Sequence, residues 1–265
     1  MRFTLLLSLV FLCVITLAQV KDIEVFHLAQ EDGTLQIIAR NNSSTLQSVQ
    51  IEATLTGMES DIELPVVVVV GAEREVVAFT LSPIENTYSY NTRFSYIKGD
   101  ITAEHDDVTV YQLPYKSGES YTIDQGYNES PTHMNQHALD FHMDEGTEIC
   151  AIRDGVVFEV VDEYDKGCSS QECSKFNNYV LIQHADGSIA DYSHLQQNGA
   201  LVKVGDVIKT GEVIAKSGST GFASGPHLHL EVYVMRLTGQ KSIEAKYNIG
   251  NGVGIPQSGK SYRQN

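Results

Sequence analysis

Short runs rich in strand-forming apolar residues, alternating with polar ones in Val49 to Leu55 and almost wholly apolar in Leu64 to Val70, fill the first part of the chain after its extreme N-terminus. They are Thr34 to Ala39, Val49 to Leu55, Leu64 to Val70, Glu75 to Leu81 and Thr92 to Ile97. Alternation with a period of two over roughly four to eight residues is the pattern of a strand with one buried face. Turn formers separate the runs, among them Asn41-Asn42-Ser43-Ser44 and Ser82-Pro83. Short strands at this spacing predict an all-β sandwich of immunoglobulin-like outline.

The alternation lapses in Leu113-Pro114-Tyr115-Lys116-Ser117-Gly118-Glu119-Ser120, which carries Pro, Gly and Ser and reads as a linker. Strand patterns resume at Val156 to Asp162, Tyr179 to Gln183, Ile189 to Leu195, Val213 to Lys216 and Leu228 to Met235. Gly-containing turns such as Ala185-Asp186-Gly187 and Lys209-Thr210-Gly211 divide them, and no long segment has a 3.6-residue period. The second half is therefore also β, mostly antiparallel because its turns are short. These patterns divide the chain into a sandwich at 21–112, a linker at 113–120, a second β domain at 121–250 and a tail at 251–265.

The first residues have another character. Arg2 precedes an almost wholly apolar run from Leu5 to Leu17, followed by Ala18, so residues 1–18 read as an export signal peptide. The apolar run is short of the roughly 20 residues that span a bilayer, and no later stretch is long enough. Leu12 precedes Cys13, which does not suit a lipoprotein signal. The expected location is the periplasm, the cell envelope or the exterior, with no membrane span once the signal is removed.

Charge narrows the partners. With 34 acidic against 18 basic residues, a net charge of −16, the chain lacks the basic patches that nucleic acid or an anionic lipid surface would need. Nothing in the pattern sets an oligomeric state. An exported chain meets an oxidising compartment, so Cys168 and Cys173 are expected to close a short loop as a disulfide. Cys150 falls in an apolar strand pattern and should be buried.

Seven of the nine histidines lie beyond residue 130. His27 and His105 stand alone, with surface or packing roles. In Gly225-Pro226-His227-Leu228-His229 the two imidazoles are two residues apart, which on a strand puts them on one face. Upstream, Thr132-His133-Met134-Asn135-Gln136-His137-Ala138-Leu139-Asp140-Phe141 places a carboxylate near two histidines. In Asp191-Tyr192-Ser193-His194-Leu195, Tyr192 and His194 are expected to share a strand face. Two imidazoles and one carboxylate with a fourth position open make up a catalytic zinc site more often than a structural one.

These motifs occur in a telling order. A His upstream of Leu139-Asp140-Phe141 is followed by Glu145-Gly146-Thr147 and Arg153-Asp154-Gly155-Val156-Val157. Tyr192-Ser193-His194-Leu195, Gly205-Asp206-Val207-Ile208, Gly218-Ser219-Thr220-Gly221 and the His-Leu-His motif complete the series. From about Gln125 to Met235 the chain resembles peptidase family M23, the lysostaphin-type zinc metallopeptidases. It is similar in layout to a subgroup with a β domain ahead of the peptidase and a Cys-containing insertion like Gly167 to Ser174.

The resemblance implies one zinc ion per chain, bound by Asp140 and His229, and hydrolysis of peptide bonds in peptidoglycan stem peptides or cross-links. It implies that His227 acts on the attacking water and that His194 assists. The third ligand departs from the simplest family pattern, because Gln136 occupies the place, four residues before the Asp, where most members have His. His133 and His137 are the candidates. In an extended strand His137, three residues before Asp140, faces away from it unless a bulge intervenes. His133 follows Pro131 in an irregular stretch free of that constraint, and the subgroup resemblance also favours it. His142 shares the strand parity of Asp140, but the family usually has a small or polar residue there; His184 reads as a strand-end residue.

Two other functions compete. A non-catalytic relative of the family would bind or activate wall hydrolases, yet here every role has a candidate residue. Val204 to Gly211 also resembles the hairpin of biotinyl and lipoyl carriers, but no carrier-type lysine motif stands beside it.

Overall fold

The computed structural model describes residues 21–265; the expected export signal lies outside the described residues. The first seven strands are β1 (Ile23–Ala29), β2 (Leu35–Asn41), β3 (Gln47–Thr56), β4 (Met58–Ser60), β5 (Val66–Val70), β6 (Glu75–Pro83) and β7 (Ser89–Lys98). They form two antiparallel sheets, in the orders β1-β2-β6-β4 and β5-β3-β7. Ile37, Phe79 and Leu81 from the first sheet and Val49, Ile51 and Val70 from the second form one buried core, so the two sheets make a sandwich. At Gly57 the chain passes from β3 to β4 and so changes sheets. Its φ is +63° and a Cβ there would sit 2.5 Å from the Thr87 carbonyl oxygen, so only glycine fits.

The remaining chain supplies β8 (Val110–Tyr111), β9 (Ser120–Gln125), β10 (Ala138–His142), β11 (Glu148–Cys150), β12 (Gly155–Val161) and β13 (Gly167–Cys168). A 3-10 helix, Gln171–Phe176, leads to β14 (Tyr179–Gln183), β15 (Ile189–Ser193), β16 (Leu195–Ala200), β17 (Val207–Ile208) and β18 (Val213–Ser217). The last strands are β19 (Gly221–Phe222), β20 (His227–Arg236), β21 (Gly239–Ser242), β22 (Lys246–Asn248), β23 (Val253–Gly254) and β24 (Ser261–Arg263).

One large sheet dominates, in the order β17-β12-β14-β15-β20-β10-β9-β24, with β21 added beside β20. Its neighbours are antiparallel; among the described residues, parallel pairing is confined to β13 with β19 and β8 with β22. One face buries Leu139, Phe141, Val180, Ile182, Tyr192, Leu228 and Leu230 against Ile149, Leu195, Ile214 and Ala215 of the smaller β11-β18-β16 sheet. The two-residue period that turns Leu139 and Phe141 inward turns Asp140 to the opposite face. Register then aligns Asp140 with His229 and Ser193 with His229, so the polar face of three adjacent strands carries the chemistry.

Two stretches differ from the sequence expectation. Leu113 and Tyr115, expected in a linker, are buried in the larger core. The Tyr115 hydroxyl donates to the Tyr262 carbonyl at 2.6 Å, and its ring packs edge-on against Tyr121 and Phe141. Residues 251–265, expected as a tail, include β24, which pairs with β9. In both places Pro, Gly and Ser mask a few apolar anchors that the core takes up. The halves also touch: Lys98 pairs with Glu159 at 2.9 Å, and the Arg236 guanidinium donates to the carbonyls of Ile101 and Ala103.

Tyr115→Ala should therefore destabilise the larger domain by about 3–5 kcal/mol, the cost of removing a buried aromatic ring. Denaturant unfolding monitored on that domain measures it, and a loss below about 1 kcal/mol would make the segment a true linker.

Candidate metal centre

The loop between β9 and β10 delivers His133. It is knitted by backbone bonds from Asn128 N–H to the Gln136 carbonyl, from His133 N–H to Glu129 and from Gln136 N–H to His133. The Gln125 side chain also donates to the Glu129 carbonyl. Asn128 and Asn135 adopt φ near +60°, a conformation asparagine tolerates better than most residues. The result is an imidazole only 1% exposed.

His133, Asp140 and His229 converge so that one ligand atom from each lies within 4.8 Å of the others. His133 Nε2 is 3.2 Å and His229 Nδ1 is 2.9 Å from the same Asp140 Oδ1. Burial pushes the Asp140 carboxyl up, but the His133 and His229 imidazoles beside it outweigh that and hold the group well below the usual carboxylate range. Burial likewise lowers His229, yet Asp140 reverses the balance and raises it.

Three imidazoles are oriented in the same way. His133 Nδ1 lies 3.0 Å from the Gly126 carbonyl, His194 Nδ1 2.8 Å from the Thr220 carbonyl and His227 Nδ1 2.9 Å from the Gly225 carbonyl. A carbonyl can only accept, so each Nδ1 carries the proton and each Nε2 keeps a lone pair. His133 Nε2 is buried with no hydrogen-bond partner, a lone pair facing a carboxylate oxygen. Two acceptors in that position call for a cation between them. A metal ion fits this donor set, and the carbonyl anchors are the kind of outer contact that fixes a ligand imidazole.

His194 and His227 stand beside the cluster. Their ring centroids are 4.6 Å apart, and His227 Nε2 is 3.9 Å from Asp140 Oδ1. Burial pushes the His194 imidazole down to about 3, which keeps it neutral. The expectation that Tyr192 and His194 share a face is corrected. Strand alternation stops at His194, whose φ is +63°, between β15 and β16. Tyr192 points into the core, its hydroxyl accepting from Ile152 N–H, whereas His194 turns into the cleft. This left-handed conformation is costly for a non-glycine residue and is held from outside. Asn177 Oδ1 accepts the His194 N–H at 3.0 Å, while its Nδ2 donates to Ser193 Oγ.

The other histidines lie apart. His137 packs edge-on against Tyr127, with its N–H bonded to Ser242 Oγ, away from the cluster. His142 is exposed and pairs with Asp124 at 2.9 Å. His184 is buried at the end of β14 with Nδ1 on the Asp154 carbonyl, and burial pushes it down to about 4. His27 meets the Tyr90 hydroxyl, and His105 stacks on Tyr111.

The five residues open into a cleft of about 460 Å³, also bordered by Gln125, Gln136, Asn177 and Phe222. Cys168 and Cys173 form the expected disulfide, and the loop they close contributes Ser169 to the cleft wall; Cys150 is free and buried. Sequence reasoning missed Asn177 and the anchoring carbonyls, whose roles depend on contacts between distant loops.

An antiparallel sheet with a His-Asp-His cluster in a cleft defines a candidate metal-site protein. The model of peptidase family M23 matches residues 134–244, and this segment of the chain belongs to that family. Over 90 residues the chain is 41% identical to a peptidoglycan DD-endopeptidase of Vibrio cholerae, covering 34% of this chain and 18% of that protein. It is 32% identical over 133 residues to lysostaphin of Staphylococcus simulans, covering 49% and 24%. The chain thus spans about a quarter or less of the length of these two relatives. Among solved structures, the catalytic domain of that lysostaphin is 29% identical over 48% of this chain and 88% of its own, with a TM-score of 0.34.

Replacing His133 by Ala should strip most of the metal from the purified protein, because two ligands would remain, whereas His137→Ala should keep most of it. Metal per chain by mass spectrometry compares them directly; an empty His137 variant beside a loaded His133 variant would reverse the assignment.

Proposed function

We propose that the chain is an exported zinc metalloendopeptidase that hydrolyses peptide bonds in peptidoglycan stem peptides or cross-links. The observation that carries the reading is the buried, unpartnered His133 Nε2 facing Asp140 beside His229, with two further lone-pair imidazoles next to it. The similarity to a peptidoglycan DD-endopeptidase supports the substrate class.

In this reading His133, Asp140 and His229 hold one zinc ion per chain, and His194 and His227 do the proton work. Zinc bound there would supply Lewis acidity and bring the pKa of a water molecule toward about 7. His227, its Nδ1 tied to the Gly225 carbonyl, presents Nε2 to take the proton of the attacking water and return it to the leaving amine. His194 stays neutral and rigid between Thr220 and Asn177, where it orients the water and faces the developing oxyanion. The sandwich, residues 21–112, and the peptidase domain form two units, with residues 113–120 and the chain end packed into the second.

Chelation should abolish cleavage of cross-linked muropeptides and zinc should restore it. His227→Ala and His194→Ala should each keep the metal while the rate falls about 10²–10⁴-fold. Mass spectrometry of the digest with parallel metal analysis reads both. Full cleavage by metal-free protein would end the mechanism, and zinc-loaded protein that cuts nothing would leave a binding module.

A further inference from the structure

His194 has two anchors, and both lie in one corner of the fold. Its N–H donates to Asn177 Oδ1 at 3.0 Å, and its Nδ1 donates to the Thr220 carbonyl at 2.8 Å. The segment closed by the Cys168–Cys173 disulfide runs through the 3-10 helix into Asn177. Its strand β13 pairs with β19, which directly follows Thr220. At Gly221, where φ is +79°, a Cβ would lie 2.9 Å from Asn177 Cβ and 3.1 Å from its Oδ1. The backbone beyond one anchor is therefore packed against the other, and only glycine allows the approach.

The direction of the Asn177 amide has its own cause. Only the oxygen end can accept the His194 N–H, so the amide must not turn over. Its Nδ2 donates to Ser193 Oγ at 2.9 Å, and Ser193 Oγ donates to Asp191 Oδ1 at 2.6 Å. A hydroxyl has one proton, and here the Asp191 carboxylate takes it. Ser193 then offers Asn177 a lone pair, which the nitrogen end of the amide alone can meet. With that end turned to Ser193, Oδ1 faces His194. Asp191 and Ser193 are two residues apart on β15, so both sit on the face of the sheet that carries His229. Ser193 is only 3% exposed, so water competes little for its hydroxyl.

We propose that Asp191, Ser193 and Asn177 form a positioning relay that holds His194 in its left-handed conformation and aims its Nε2 into the cleft. All three act through His194, and their effect is delivered at its backbone N–H. Without that bond a non-glycine residue relaxes out of the left-handed region, and the contact of Nδ1 with Thr220 is lost with it. The consequence for rate rests on the peptidase reading above; the consequence for the imidazole stands apart from it.

The test uses the zinc-loaded full chain, a cross-linked muropeptide and isotope-labelled histidine. Asn177→Ala should lower kcat at least about tenfold with KM within about twofold of wild type, because a misaimed proton-transfer group costs rate and not binding. Zinc content should stay at the wild-type level. In the His194→Ala background the same substitution should cost nothing further, since the group it positions is gone. Asn177→Asp, which keeps an oxygen for the His194 N–H, should recover most of the rate. Ser193→Ala and Asp191→Asn free the amide to turn over and should each give a smaller loss of the same kind; they carry the comparison if Asn177→Ala does not fold. Nitrogen–proton spectra of the imidazoles need no turnover. The wild-type His194 signal, identified by its absence from His194→Ala, should be one neutral tautomer protonated on Nδ1, and in Asn177→Ala it should become a mixture. A loss that persists in full without His194 overturns the relay, as does wild-type kcat in Asn177→Ala or in both other variants, or an unchanged His194 signal. If wild type cuts nothing, the peptidase reading fails and the spectra alone decide: mixed tautomers in Asn177→Ala support the relay, and an unchanged signal overturns it.

Discussion

The register between β10 and β20 sets Asp140 directly beside His229, and the rest of the site is arranged around that contact. A slip of one residue would exchange the faces of the strand, sending Asp140 into the core and Leu139 into the cleft. The burial of Leu139, Phe141, Leu228 and Leu230 on the opposite face forbids that slip. Hydrophobic packing on one side of the sheet thus fixes the electrostatics on the other.

Two imidazoles converge on one oxygen of the largely buried Asp140, and His229 is hydrogen-bonded to it. Around it, backbone carbonyls at Gly126, Thr220 and Gly225 choose the tautomers of three histidines. These carbonyls belong to loops whose conformations are themselves fixed by backbone hydrogen bonds, as in the Glu129–His133–Gln136 series. Loop geometry thus decides which nitrogen holds the proton and which keeps its lone pair in the candidate site. Strain at His194 belongs to the same arrangement. The residue leaves the strand alternation to face the cleft, and Asn177 holds it there.

The sandwich is joined to the other domain by specific contacts as well as by chain continuity. Arg236, at the end of the strand that carries His227 and His229, donates to two carbonyls in the segment after β7. Lys98 of β7 reaches Glu159 of β12.

The sequence alone determined the all-β class, most strand positions and the shared face of His227 and His229, because a two-residue period is a local property of the chain. Parity also separated His137 from Asp140 without any long-range information. Tertiary structure decided the rest. The sequence treated Leu113 and Tyr115 as linker because turn formers surround them, and only the core shows that they are anchors. Strand parity placed His194 with Tyr192, and a left-handed residue, held by a side chain from another loop, reversed it. His133 could be nominated from the sequence, but its partnerless nitrogen, and the register that sets Asp191 beside Glu231, arise only when distant parts of the chain come together. Periodicity is written residue by residue, whereas the balance of buried charge depends on neighbours that folding brings together.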